Sequence, residues 1–183
     1  LSVACARRFG WITTEEFLQR CEATVATMAL LARHRGHFLN WYDTQTLQPL
    51  PPAYVSSVDS GNLCGHLLAV VGACQEFADA PEGLSLGESA QCLQRLQRLA
   101  AQLQRWAMEA EFGFLYSARR RLFHIGYRVD EAELDKSFYD LLASESRLAS
   151  LWAIAKGDVP VAHWVALGRP FYAIDSRVGL RSW

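Results

Sequence analysis

The stretch KSFYDLLASESRLASLWAIAKGD, residues 136–158, decides the reading of the fold. At 100° per residue, Phe138, Leu141, Leu142, Leu148, Ala149 and Trp152 fall on one stripe, the pattern of an amphipathic helix. Ser137 with Asp140 three residues on approximates a capping box, and Gly157 supplies a stop. One residue interrupts the stripe. Glu145 lies near its middle, and a carboxylate flanked by Leu141, Leu142, Leu148 and Trp152 is expected to be desolvated, which raises its pKa. A carboxylic acid kept protonated near neutrality is what a general acid needs. The alternatives are a carboxylate paired with an arginine from another helix, or a helix less buried than the stripe suggests.

On the N-terminal side of this helix, RVDEAELD reads as a loop. Before it comes FLYSARRRLFHIGY, residues 114–127, an aromatic hairpin turning near Ser117 to Arg120. A helix over about 88–110 precedes that, with Leu93, Leu96, Ala100, Leu103 and Ala107 on one face. The first half of the chain has the same order. A helix is expected over 14–34, capped by Thr13 or Thr14 and stopped by Gly36. HFLNWYDTQTLQPL then reads as a second aromatic hairpin, turning near Asp43 to Thr46. Pro49, Pro51 and Pro52 forbid a helix in the following loop. The next helix is expected over 62–77, with Asp59 or Ser60 near its cap. ADAPEGLSLGES, residues 78–89, is a connector. Residues 160–167 form a short last helix, and the tail GRPFYAIDSRVGLRSW is loop or extended.

Helix, aromatic hairpin, loop and helix thus recur at roughly 75 residues, and units of this kind stack side by side to bury their faces. The expected fold class is all-α: an arc of an α/α toroid built from helix hairpins, carrying two short aromatic β-hairpins. Residues 1–183 read as a single partial domain, a piece of a longer protein.

The totals exclude several function classes. A net charge of −1 gives no bulk attraction for nucleic acid or anionic membrane. The basic run Arg119-Arg120-Arg121 sits in a turn. No apolar run approaches the ~18 residues that span a bilayer. Five cysteines with no CxxC pair read as free thiols in a reducing compartment. His34 and His37 have no supporting Cys or carboxylate cluster, so no metal is expected. There is no phosphate-binding Gly-rich loop, no GxSxG and no HExxH.

Aromatic loops beside a carboxylate suggest carbohydrate. Sugars present flat C–H faces and rims of hydroxyls. Trp41, Tyr42, Tyr54, Tyr116, Tyr127 and Tyr139 are candidates to stack on the first; Asp43, Asp59, Asn62 and Asp140 are candidates to hydrogen-bond the second. The alternative for each aromatic is a plug of the local core, and for Asp59-Ser60-Gly61-Asn62 a helix cap.

Two long motifs carry a family resemblance. HRGHFLNWYDTQTLQPLPPAYVSSVDSGNLCGHLLA (34–69) and FLYSARRRLFHIGYRVDEAELDKSFYDLLASESRLASLWAIAKGDVPVAHWVALGRP (114–170) closely resemble the central region of bacterial cyclic β-1,2-glucan synthases. The resemblance implies a transferase held at the cytoplasmic face of the bacterial inner membrane. It implies a glucosyltransferase domain using UDP-glucose elsewhere in the polypeptide, with no cofactor in this region. It implies a glucoamylase-like α/α-toroid domain here that cyclises linear β-1,2-glucan by transglycosylation. Its partners are then linear β-1,2-glucan and the remaining domains of the same polypeptide, with no nucleic acid. Such chemistry needs two carboxylates. Glu145, in LLASESRLAS, is the one position that matches; the family's second carboxylate lies in a Trp-Gly-Ile-Ser-Glu segment that these 183 residues lack. The region alone is therefore expected to be inactive, and to self-associate through uncovered helix surface. The competing reading, from another class, is a non-catalytic helical module that binds glucan or packs between enzyme domains.

Overall fold

The computed structural model describes residues 1–79 and then, from residue 86 in backbone and residue 90 in side chain, on to residue 182. The connector expected at 78–89 lies largely outside these residues. The described chain divides into two compact units. The first comprises Leu1–Leu31 with His66–Met108; the second comprises Ala32–Gly65 with Glu109–Trp183.

The first unit is helical. Helix α1 (Ser2–Arg8) is followed by α2 (Thr14–Met28). Thr13 caps α2 through a full capping box: its hydroxyl accepts from the Glu16 amide while the Glu16 carboxylate accepts from the Thr13 amide. The expected cap is found, but α2 ends six residues before the expected end at His34. The remainder of α3 (Ser57–Asp79) and most of α4 (Leu86–Glu109) complete the unit. Phe17, Leu18, Val71, Phe77, Leu96 and Leu103 form its core. Phe17 meets Phe77 edge-on at 5.1 Å. Arg95 reaches both Glu15 (2.6 Å) and Glu22 (2.8 Å) and so ties α4 to α2.

The second unit mixes helices with small antiparallel sheets. Strands β1 (Arg33–His34) and β2 (His37–Phe38) form a hairpin. Its turn residues Arg35 and Gly36 both have positive φ, 49° and 82°, as a tight hairpin of this kind requires. Those backbone angles end the helix pattern that the sequence appeared to continue. The hairpin expected over 37–50 is reduced to a looped turn. A single bridge joins Tyr42 to Pro49, and the Asp43 carboxylate accepts from Gln45 N, Thr46 N and the Thr46 hydroxyl.

Two three-stranded sheets follow. One orders β3 (Tyr54–Ser56), β6 (Gly126–Arg128) and β7 (Glu133–Leu134). The other orders β4 (Tyr116–Ser117), β5 (Leu122–His124) and β8 (Phe138–Tyr139). The aromatic hairpin expected over 114–127 is present as β4–β5, with its turn at Ala118–Arg121. RVDEAELD, expected as loop, is the β6–β7 turn.

The stretch 136–158 is only half helix. Helix α5 covers Arg147–Lys156, and Gly157 ends it in the left-handed region at φ 85°, as expected. The first half is committed elsewhere. Phe138 and Tyr139 pair with His124 and Phe123 of β5, Leu142 N donates to Gly168 O at 2.9 Å, and Gly168 N donates to Asp140 O at 2.7 Å. Backbone groups engaged in these ladders cannot also close helical i→i−4 bonds. Ser137 therefore caps no helix, and Glu145 lies in a turn, exposed, before Ser146 and α5. Glu145 is thus hydrated and not buried in an apolar stripe, contrary to the expected desolvation. Helix α6 (Ala162–Ala166) and a terminal hairpin of β9 (Phe171–Ile174) and β10 (Arg177–Leu180) complete the unit.

Helix α3 begins in this unit and starts five residues earlier than expected. Ser56 Oγ accepts from Asp59 N at 3.1 Å and so caps it, which places Asp59-Ser60-Gly61-Asn62 inside the helix. None of the five cysteines forms a disulfide with another described residue; burial raises the thiol pKa values of Cys64 and Cys74 to about 12.

His37 is fully buried against Phe112 and Phe114, with ring centroids at 5.0 and 5.5 Å. Its Nε2 donates to Glu111 O at 2.8 Å, and its Nδ1 has no partner. Burial lowers its pKa to about 4. An unfolded His binds its proton near 6.5, so the unfolded state takes up protons first as pH falls. Stability is full above pH 6.5, declines below it, and reaches its whole loss of about 3 kcal/mol below about pH 4. Urea denaturation at pH 7 and pH 4.5 measures the decline. His37→Phe should flatten the histidine part of it; an unchanged pH dependence in that variant would refute the assignment.

Candidate functional site

The site is assembled within the second unit from residues of both three-stranded sheets, the start of α3 and the approach to α5. β3 brings Tyr54, whose hydroxyl donates to the Asp135 carboxylate just past β7. Asp135 also takes Arg128 Nη2 at 3.3 Å from β6, and its carbonyl pairs with His124 Nδ1 of β5. One residue thus binds strands of both sheets. Gly126 makes this reach feasible, because a Cβ there would overlap the Tyr54 hydroxyl. Burial, then hydrogen bonding to Asp135, pushes the Tyr54 phenol well above its ordinary pKa.

The first turn of α3 brings Asp59. Its carboxylate faces solvent and accepts from Asn40 Nδ2 at 3.1 Å. Asn40 is itself fixed: its Oδ1 accepts from Ser56 N at 3.2 Å and its amide N donates to Tyr54 O at 2.9 Å. An acidic side chain here is also favoured by the helix dipole, so its position has a structural reason as well. The approach to α5 brings Glu145. Helices α3 and α5 come close because Gly61 faces Ala149 and Gly65 faces Leu148, with no room for a Cβ at either.

Tyr139 of β8 is buried. Its phenol pKa is raised by burial first, and then by the negative charges of Glu145, Asp59 and Asp135. Three carboxylates from three elements therefore lie within electrostatic reach of one phenol. Two of them, Asp59 and Glu145, are exposed. Exposed carboxylates beside a buried aromatic can accept hydrogen bonds from sugar hydroxyls, donate or take a proton, or attack an anomeric carbon.

The other candidates are placed differently. Tyr42 Oη donates to Ala32 O and accepts from Leu39 N, both at 2.7 Å, so it pins its loop. Asp43 caps its own turn. Tyr127 stacks on His34 at 5.2 Å, which covers one face of its ring. Trp41 is exposed on the loop, and Asn62 is half-buried in α3. Asp140 is exposed, next in sequence to Tyr139. Asn40, Arg128, His124 and Asp135 were not singled out from sequence. Their partners lie up to some 80 positions away, so no local pattern marks them.

No family model matches the chain. The fold is similar to the crystal structure of a glucoamylase-like protein from Bacteroides caccae, with a TM-score of 0.72 over 98% of this chain and 43% of that one. At 16% identity that likeness concerns the fold. In sequence, the chain is 33% identical to the cyclic β-(1,2)-glucan synthase NdvB of Rhizobium meliloti, matched over 100% of its own residues and 10% of that protein. The chain thus spans about a tenth of the relative it matches. Over its whole length, the chain is similar in sequence to a segment of that cyclic β-(1,2)-glucan synthase.

Proposed function

We propose that these residues belong to a carbohydrate-active domain that cyclises linear β-1,2-glucan by transglycosylation, as part of a longer synthase. The supporting observation is the pair of exposed carboxylates, Asp59 and Glu145, set about the buried Tyr139. In this reading Glu145 touches the scissile bond, and Asp59 with Asn40 holds hydroxyls of a neighbouring glucose. The helices are an arc of an α/α toroid. UDP-glucose is consumed by another domain of the polypeptide. The setting is the cytoplasmic face of a bacterial inner membrane. None of the described helices is long and apolar enough to cross a membrane, so any anchoring is supplied by other segments. Exposed apolar residues such as Phe171 and Val178 favour self-association of the isolated chain.

The 183-residue chain by itself is expected to be inert. Purified chain incubated with linear β-1,2-glucan should yield neither cyclic products nor new reducing ends above buffer. Transglycosylation needs a proton donor and a nucleophile on opposite sides of the bond. Turnover that vanishes in both Glu145→Gln and Asp59→Asn would overturn the expectation of inertness and identify Asp59 as the second catalytic carboxylate.

A further inference from the structure

The terminal hairpin carries an open surface groove of about 560 Å3 that the site above does not use, lined by Tyr172, Ile174, Asp175, Ser176, Arg177 and Gly179 among others. From this groove we infer a separate pyranose-binding subsite on the hairpin, taking a neutral β-1,2-linked glucose unit. The inference rests on the proposed action on β-1,2-glucan and names a second place where that glucan is held.

The strand register builds the subsite. Tyr172 pairs with Gly179 and Ile174 with Arg177, and directly opposed residues of an antiparallel pair share a face. Gly179 presents no side chain, and a Cβ there would meet nothing within 4 Å. The ground beside the Tyr172 ring is therefore open, and Tyr172 keeps 49% of its surface exposed. Ile174 extends the apolar floor. At the turn end stand Asp175, Ser176 and Arg177. Asp175 holds a left-handed φ of 54°, a conformation Asp tolerates better than most residues, which aims its side chain from the tip of the turn.

The chemistry selects the ligand class. Asp175 and Arg177 carry opposite charges and neither forms an ion pair with a described residue. An adjacent acceptor and donor of opposite sign cancel in net charge, so neither an anion nor a cation is favoured. A ring of hydroxyls can use both: Asp175 accepts from one hydroxyl, and Arg177 donates to its neighbour. The open tyrosine face takes the C–H side of the same ring. The groove is open to solvent along one side, and its volume leaves room for a disaccharide laid along the strands.

The test is an NMR titration of the full 183-residue chain with the β-1,2-linked glucose disaccharide. Saturable shifts of the Tyr172 ring and Ile174 methyl signals are expected, with an affinity in the millimolar range. Tyr172→Ala should weaken binding at least about threefold, the loss of one ring contact, while Tyr172→Phe stays within about twofold of the parent. Arg177→Ala should weaken it as well. These residues are exposed, so the variants remain folded, and unchanged amide spectra elsewhere verify it. Unchanged affinity in Tyr172→Ala overturns the subsite. Saturable shifts confined to Trp41, Asp59 and Tyr139 overturn it while leaving the proposed function standing. No saturable shift anywhere overturns both. Tighter binding of inorganic phosphate than of the disaccharide overturns the neutral-ligand assignment.

Discussion

Replacing Glu145 by Gln in the complete synthase should lower the rate of cyclic glucan formation by a factor on the order of 10² or more, without unfolding the domain. The two halves of this expectation have separate grounds. The fold should survive because Glu145 is exposed in the turn before α5. Gln keeps its volume, and exposed polar substitutions cost little stability. The chemistry should not survive, because an amide can neither transfer a proton nor attack the anomeric carbon. Asp59→Asn offers a contrast. If Asp59 only accepts hydrogen bonds from substrate hydroxyls, its amide retains one acceptor oxygen and the main change falls on KM. Cyclic products measured by chromatography, with both variants at saturating glucan, separate the roles. An unchanged rate for Glu145→Gln would remove it from the chemistry.

The apolar stripe of residues 138–152 suggested one long helix and a buried carboxylate. The stripe was real in composition, but Phe138 and Tyr139 satisfy their backbone in a ladder with β5. What local sequence encodes was legible: a cap at Thr13 or Thr14, the Gly157 stop, the turn at Asp43 and the β4–β5 hairpin. Each depends on residues within a few positions of one another. The β3–β6 pairing, which sets Tyr54 opposite Arg128, joins segments more than 70 positions apart. Strands of two or three residues leave no periodicity to detect. The same holds for the site. Asp59 was visible as a polar residue near a helix start, whereas Asp135 and Asn40 matter through partners that only the fold brings to them.

Gly61→Val should be the most destabilising single substitution near the site, costing about 3 kcal/mol. Gly61 lies on α3 where a Cβ would overlap the Cα, Cβ and N of Ala149 on α5. The obstruction is largely backbone, which cannot rotate aside as a side chain can, so relief requires the two helices to separate. Gly65, one turn later, would instead meet the flexible end of Leu148, so Gly65→Ala should cost less. The pair of variants therefore tests the contact and not merely helix propensity, because glycine to alanine in a helix is otherwise stabilising by up to about 1 kcal/mol. For a chain of this length the loss at Gly61 corresponds to a fall in Tm of roughly 6–12 °C. The consequence extends to function. Asp59 is two residues before Gly61 and Glu145 four before Ala149, so moving α3 from α5 parts the two carboxylates. Gly61→Ala, the smallest intrusion, should leave the synthase folded but slow its cyclisation, in proportion to the shift between the helices. A Gly61→Val chain as stable as the parent would show that the helices do not depend on this contact, and that the distance between Asp59 and Glu145 is set elsewhere.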